Sequence, residues 1–330
     1  IFFKLLSRLP LRVLYALTDI LFLVIYHIWR FRRDLSVGNV RNSFPDKSNT
    51  EVEAIAAQSY RNACSLIAEV LKGASIEADD LRRRVRINDL DLLTPWIKAE
   101  QPVVLLASHH CNWEWLLLAS CIELGISVDA VYKPLRVGAV DRFMLEARSR
   151  FGGNPIPVKN FLMEVMKRRK GARIIALVAD QTPLAGEEKH WTRFLSQDTA
   201  FFVGADKIAR MLRAPVFFVG MHRLERGHYE AHLQQLSAPP YSRDGTDIIE
   251  RYARVAETHI ARYPADWLWM YRKLGGGMLG ILMVPVLAAY TAYSLADKPA
   301  LTPGFAAGLA ANMIGSGFLG AIVGGLVSYP

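Results

Sequence analysis

A histidine and a glutamate stand five residues apart, directly after an apolar run of strand length. The run covers residues 103–107, His109 and Glu114 follow it, and apolar residues then recur at helical spacing until Gly125. This order predicts a strand, a short loop and a helix. In open α/β sheets ligands bind beyond the carboxyl ends of the strands, which is where both side chains would lie. The spacing lets a carboxylate fix an imidazole tautomer, so we predict His109 as a general base that Glu114 orients.

Plainer interpretations of these residues stay open. A His-x4-Glu spacing often arises by chance, and a histidine at the start of a helix can act as a cap. A metal site is a further alternative, and its ligands would be His109, His110, Cys111 and Glu114. No second cluster with zinc-like spacing occurs in the sequence. We therefore predict no metal and no resident cofactor.

A second polar cluster follows the apolar run of residues 173–179. Asp180 and Gln181 come at the end of this predicted strand. Because strand carboxyl ends line the ligand crevice of an α/β sheet, we expect these two residues to face His109 and bind substrate. The alternative for Asp180 is a cap in a local turn. Backbone amides near Asn112, at the predicted helix start, are candidate donors to an oxyanion.

Composition favours a membrane surface over a nucleic acid. The 330 residues carry a formal charge of +9, and only Asp297 and Lys298 are charged after Lys273, so the excess lies in the first 273 residues. A positively charged domain joined to apolar segments favours binding to an anionic bilayer and to a lipid that carries phosphate. No recognised nucleic-acid motif accompanies the charge. The sequence has three cysteines, an odd number that does not form a framework of paired disulfides, and this indicates a reducing compartment.

An apolar and aromatic stretch from about residue 11 to residue 31 is followed by arginines. Its length is near the ~20 residues that cross a bilayer. Asp19 and His27 interrupt it, so it is either a single crossing or a deep interfacial helix, and a buried core helix is the alternative. We predict residues 1–33 as a membrane anchor. The arginines favour a cytoplasmic position for the rest of the chain.

The string from Ser108 to Glu114 resembles the active-site block of the bacterial lipid A biosynthesis acyltransferases. These are the lauroyl and myristoyl transferases of the lysophospholipid acyltransferase superfamily. Their signature is His-x4-Asp/Glu, usually with Asn-Trp before the acid, and it falls here on His109, Asn112, Trp113 and Glu114. His110 and Cys111 stand where an aromatic residue and a glycine are more usual. The resemblance extends from about Leu9 to Lys273, and includes the Asp180-Gln181 pair.

The resemblance implies an α/β fold whose central, mostly parallel sheet is flanked by helices, as in glycerolipid acyltransferases, over residues 34–273. It implies transfer of an acyl chain from an acyl carrier protein or CoA thioester to a hydroxyl of a lipid A precursor or related glycolipid. The implied location is the cytoplasmic face of the bacterial inner membrane. Arg148 or Arg150 matches the family's basic residue that holds anionic parts of the substrates. A phosphatidylinositol mannoside, a lysophospholipid or an aminolipid is an alternative acceptor.

The last section of the chain has a different character. After Gly275 to Gly277, residues 278–296 and 305–328 are two apolar stretches of membrane-spanning length. They resemble a fragment of the membrane component of bacterial fructose-type sugar phosphotransferase systems. We predict residues 274–330 as a glycine-rich transmembrane hairpin, interpreted as a fusion that adds anchorage. A membrane transport or scaffold protein, and a metal-dependent hydrolase, are the alternatives from other functional classes.

Overall fold

The computed structural model describes residues 2–135, 137–168, 171–183 and 186–271. The predicted transmembrane hairpin of residues 274–330 therefore lies outside the described residues. The α-helices are α1 (Phe2–Arg8), α2 (Leu11–Phe22), α3 (Arg33–Ser43), α4 (Asn49–Gly73), α5 (Ala78–Arg84), α6 (Thr94–Lys98), α7 (Trp113–Leu124), α8 (Gly138–Arg148), α9 (Phe161–Lys167), α10 (Gly204–Leu212) and α11 (Asp247–Arg262). The strands are β1 (Val85–Ile87), β2 (Pro102–Ala107), β3 (Val128–Tyr132), β4 (Gly153–Pro157), β5 (Arg173–Val178), β6 (Lys189–Phe194), β7 (Gln197–Phe202), β8 (Val216–Glu225) and β9 (His228–Ser237).

Seven strands form one sheet in the order β1, β9, β8, β2, β5, β3, β4. Neighbouring strands run parallel except β8 and β9, which are antiparallel. Helices pack on both faces, because the central strand β2 is apolar on both. Val104 and Leu106 face a core that includes α11, while Val103 and Leu105 face the other side. The predicted mostly parallel α/β sheet is confirmed.

Two elements differ from what the local sequence pattern indicates. The aromatic segment from Trp191 to Val203 is typical of a loop, but β6 and β7 form an antiparallel hairpin there, which is a separate two-stranded sheet. Exposed and more buried residues alternate in β6, whereas β7 buries three consecutive residues, so a period of two is not evident. The alternating pattern of residues 228–236 indicates a strand at the sheet edge, but the three-residue strand β1 pairs in parallel with the outer side of β9. β1 follows directly on the arginine-rich end of α5 and is too short to show a hydrophobic pattern.

The N-terminal apolar stretch is helical and packs one of its faces on the domain. Leu11–Ile28 is, among the described residues, the one segment long and apolar enough to cross a membrane. Leu14, Phe22 and Tyr26 are buried. Arg226 neutralises the charge of Asp19, with nitrogen to oxygen distances of 2.8 and 2.9 Å. The opposite face exposes large apolar side chains, namely Val13, Leu17, Ile20, Leu23, Val24, Ile28 and Trp29.

Candidate active site

His109 and Asp180 form a close pair at the carboxyl edge of the sheet. His109 Nδ1 lies 2.6 Å from Asp180 Oδ1, and the backbone N–H of His109 donates to Oδ2 at 2.9 Å. Trp267 Nε1 also donates to Oδ2 at 2.9 Å. An ionised carboxylate only accepts hydrogen bonds, so Nδ1 of His109 carries the proton. In the neutral ring the lone pair is therefore on Nε2.

The pair follows from the register of two neighbouring strands. β2 and β5 are parallel, and Ala107 stands opposite Val178 at their ends. His109 and Asp180 each come two residues after these positions, so both chains deliver their polar residue to one point. The expectation that the two polar clusters share a crevice agrees with this geometry. Asp180 is only 4% exposed, which removes water as a competing partner.

The other ring nitrogen of His109 points away from this carboxylate. Among the described residues no hydrogen bond to Nε2 is present, and the side chain keeps 13% exposure. Trp113 and Tyr271 lie against the ring, with centroid distances of 4.8 and 5.8 Å. Asp180, Trp113 and Tyr271 therefore fix the imidazole on three sides.

Glu114 has other partners than the predicted one. Arg148 donates to its two carboxylate oxygens at 2.8 and 2.5 Å, and Trp113 Nε1 donates at 3.2 Å. The physical reason is that Glu114, in the first turn of α7, faces Arg148 of α8, whereas the residues after β5 bring a carboxylate directly to Nδ1. Burial alone would lower the pKa of Arg148, but the hydrogen bonds and charge of Glu114 outweigh it and raise that pKa. In this structure Asp180, rather than Glu114, is the carboxylate at Nδ1 of His109.

The Glu114 to Arg148 pair is closely packed. The cavity beside it has a volume of only about 10 Å³, which is room for about one water molecule. Their side chains are 9% and 17% exposed. The pair therefore joins α7 to α8 at the wall of the site, and a substrate anion would reach Arg148 only if the pair opened.

Asn112 is completely buried and caps α7. Its side-chain oxygen accepts from the backbone N–H of Trp115 at 2.9 Å, and its amide donates to Glu69 at 2.8 Å. The side-chain oxygen thus caps α7, which fits the preference for asparagine as a helix cap, and the amide joins α7 to α4. The predicted contact of Asn112 with substrate stays a prediction.

The two arginines that the sequence left as alternatives occupy different places. Arg148 faces α7 as described, whereas Arg150 donates to the carbonyl of Gly73 at 2.7 Å and lies over the Phe151 ring. Arg150 is therefore at the end of α4 and away from the His109 pair. Gln181 is exposed next to Asp180 at the edge of the crevice. Its predicted contact with substrate stays a prediction.

His110 is a structural residue. It is 2% exposed, and its ring nitrogens lie 2.8 and 3.0 Å from the carbonyl oxygens of Met221 and Tyr263. Burial lowers the pKa of this imidazole. Cys111 beside it has a φ of 54°, a backbone conformation that favours glycine. His109, His110 and Glu114 are thus directed at three different partners, which argues against the alternative of one metal shared by them.

Two further residues of the site, Trp267 and Glu69, are not predicted from the sequence. Trp267 holds Asp180 from the opposite side, and Glu69, which is 0% exposed, accepts from Asn112 and from Tyr229 at 2.8 and 2.6 Å. Trp267 stands in a conspicuous aromatic segment, Trp267-Leu268-Trp269, which was a usable signal. Glu69 gave one as well, because it is a lone carboxylate on the apolar face of α4.

A histidine fixed by a buried carboxylate at the carboxyl edge of a parallel sheet is typical of α/β enzymes that use histidine as a base. The family model described as "Bacterial lipid A biosynthesis acyltransferase" matches residues 1–275. The match takes in the whole sheet and the site, and the chain belongs to this family. Membership of this family supports a lipid acyltransferase function, and the family is typically membrane-associated.

The C-terminal end of the chain is similar to sugar phosphotransferase proteins. The chain is 92% identical over 39 residues to the "PTS system 2-O-alpha-mannosyl-D-glycerate-specific EIIABC component" of Escherichia coli K12, which is 12% of this chain and 6% of that protein. It is 39% identical to the "PTS system fructose-specific EIIC component" of Haloferax volcanii and 44% identical to the "Fructose-like permease IIC component 2" of E. coli K12. The matches cover 20% and 14% of these two relatives. The predicted resemblance to a fragment of such proteins is confirmed.

Proposed function

We propose that this lipid acyltransferase moves a fatty acyl chain from an acyl carrier protein or CoA thioester to a hydroxyl of a lipid A precursor or related glycolipid. His109 is the general base. The observation that supports this role is the contact between its Nδ1 and the buried Asp180 carboxylate. In the neutral ring that contact places the proton on Nδ1, so the lone pair of Nε2 can accept a proton from the acceptor hydroxyl.

The reaction needs one proton to move twice. The acceptor hydroxyl is protonated at neutral pH, so His109 Nε2 takes its proton as the oxygen attacks the thioester carbonyl. The carbon–sulfur bond then breaks, and the imidazolium returns the proton to the leaving thiolate. Asp180 stabilises the positive charge on the ring between these steps. No covalent acyl-enzyme is required, and the chain's own side chains account for the proton transfers.

The oxyanion of the tetrahedral intermediate needs hydrogen-bond donors. The first N–H groups of a helix have no acceptor within the helix. The Asn112 side chain accepts a hydrogen bond from the backbone N–H of Trp115. The backbone N–H groups of Trp113 and Glu114, at the start of α7, remain to bind an oxyanion. These amides are our candidates for the oxyanion site, and the positive end of the helix dipole adds to their effect.

The exposed apolar face of α2 supports attachment to a membrane, which we assign to the cytoplasmic face of the inner membrane. Arg8, Arg12, Arg30 and Arg32 belong to the same N-terminal segment as Leu17 and Ile20. Apolar side chains enter the acyl boundary of a bilayer, while arginines contact anionic headgroups. Attachment would hold the base near the lipid acceptor and leave the donor accessible from the cytosol.

Charge substitutions on this face are expected to weaken membrane binding. Leu17→Glu and Ile20→Glu each replace an exposed apolar side chain, so each should lower the vesicle partition coefficient by at least about tenfold. Met211→Glu, at an exposed position of α10, is the matched control and should leave binding unchanged. Co-sedimentation with anionic vesicles measures the difference. Equal binding of all three variants would contradict the assignment of this face.

Glu114 is expected to matter more for stability than for the proton transfer. In Glu114→Ala the guanidinium of Arg148 stays largely buried without its partner, which should lower the free energy of unfolding by about 3 kcal/mol. Combining it with Arg148→Met should restore part of that loss. Urea denaturation of the single and double variants measures both values. An unchanged unfolding free energy in Glu114→Ala would contradict the role of the pair.

The proposed reaction is tested directly by mass spectrometry. Purified protein is incubated with acyl carrier protein and CoA thioesters of several chain lengths, each with a panel of acceptors. The panel contains a lipid A precursor, a phosphatidylinositol mannoside, a lysophospholipid and an aminolipid. We expect the mass of one acyl chain to appear on the lipid A precursor. If only another acceptor is acylated, the proposed acyl transfer stands and the acceptor lipid is that one instead. Acylation of none of the acceptors would contradict the proposal.

A further inference from the structure

Three side chains with metal-binding atoms converge on the hairpin of β8 and β9. His222 of β8 stands directly opposite Glu230 of β9, and His232 lies two residues further on the same face of β9. The Nε2 atoms of His222 and His232 are each 3.6 Å from Glu230 Oε2. The two imidazole rings are nearly parallel, with centroids 6.0 Å apart. All three ligand atoms lie within 4.8 Å of one another.

These separations suit one small cation. Zinc binds imidazole nitrogen and carboxylate oxygen at about 2.0–2.2 Å, and tetrahedral bonds of that length put two ligand atoms roughly 3.3 Å apart. The two observed 3.6 Å separations are close to this value, and the two Nε2 atoms lie within 4.8 Å of one another, so the three side chains need to move inward to bind one ion. Two imidazoles and one carboxylate favour a zinc-type transition metal, since calcium and magnesium prefer sites built of oxygen alone.

Neighbouring residues already hold two of the ligands in a suitable orientation. Asp89 Oδ2 lies 3.3 Å from His232 Nδ1, which turns Nε2 towards the cluster, and a carboxylate in this place is usual behind metal-bound histidine. Asn88 donates to Glu230 Oε1 at 2.9 Å and leaves Oε2 to the cluster. The same amide lies 3.4 Å from His232 Nε2, a long contact that a metal ion would replace.

His222 is positioned from the opposite side. Its ring stacks on Tyr263 with 4.6 Å between centroids and 8° between planes. The side chain of His232 is 53% exposed, which gives an ion access from solvent.

We propose that His222 Nε2, Glu230 Oε2 and His232 Nε2 bind a single zinc-type divalent ion, with water at the fourth position. The ion joins β8 to β9 across the hairpin. The carbonyl of Met221, next to His222, accepts from His110 in the loop of the active site. The ion therefore stabilises the strand that supports this loop, and takes no part in the proton transfers assigned to His109 and Asp180.

The test measures zinc binding and requires no acyl-transfer assay, so it is independent of the proposed reaction. The full chain in detergent is freed of metal with a chelator and titrated with zinc in a competing metal buffer, and bound zinc is counted by mass spectrometry. We expect one zinc per chain in the wild type and in His228→Ala. This control removes a histidine of the same strand that pairs with Glu225 outside the cluster.

Substitution of the proposed ligands should distinguish a specific zinc site from adventitious zinc binding. His232→Ala and Glu230→Gln should weaken binding by at least about 100-fold, and Asp89→Asn by about tenfold. Cobalt in place of zinc should give a tetrahedral absorption spectrum that is lost in His232→Ala, and circular dichroism of the metal-free proteins should be the same throughout. Absence of zinc from the wild type, or equal affinity in wild type and ligand variants, would overturn the proposal.

Discussion

His109→Ala is expected to lower kcat for acyl transfer by about 10⁴-fold, the upper end of what a positioned general base contributes. Without the imidazole, the acceptor hydroxyl must lose its proton to water as it attacks the thioester. The KM values should change little, because the ring is a proton acceptor and adds little binding surface. Initial rates with a thioester donor and a lipid acceptor, followed by mass spectrometry, give both constants.

A matched control accompanies this prediction. His228→Ala removes a half-buried histidine at the start of β9, outside the proposed site, and its kcat should equal that of the wild type. Circular dichroism and vesicle binding of His109→Ala should also match the wild type, since the side chain lies at the surface of the crevice. A folded His109→Ala protein that keeps the wild-type kcat would exclude His109 as the base.

Asp180→Asn is expected to lower kcat by about 10³-fold, although it changes one atom. The asparagine amide can donate to His109 Nδ1, which then becomes the acceptor, and the proton moves to Nε2. The ring keeps its place but presents a proton where the reaction needs a lone pair. The remaining amide oxygen still accepts from Trp267 and from the backbone of His109, so the fold should persist.

The control for this variant is Asp198→Asn, an equal change at an exposed position of β7. It should leave both kcat and the unfolding free energy unchanged. Thermal unfolding of Asp180→Asn separates a chemical effect from a loss of structure. A wild-type kcat in Asp180→Asn would contradict the role assigned to the Asp180 carboxylate. Glu114 would then again be the candidate for the acid that orients His109.

Much of this architecture could be predicted from local patterns. The apolar runs before His109 and Asp180 are strands β2 and β5, and the segment after Asn112 is helix α7, which Gly125 ends as expected. Patterns of this kind depend on residues that are close in the chain, and strands and capped helices are determined largely by such residues.

The partner of His109 could not be predicted in the same way. Glu114 was favoured because it is five residues away, whereas Asp180 is 71 residues away and meets His109 only because β5 lies beside β2. The order of strands depends on contacts across the whole sheet, and it cannot be predicted from local patterns in a single sequence. The His222 and His232 cluster illustrates the same limit, since it forms only through the register of β8 with β9.

A double-variant cycle on His109 and Asp180 tests the central claim most directly. If Asp180 acts through the imidazole, its removal has nothing further to disturb once His109 is gone. The kcat of His109→Ala combined with Asp180→Asn should then equal that of His109→Ala alone. A double variant slower by the product of the two single effects would contradict the claim that these residues act as one catalytic unit.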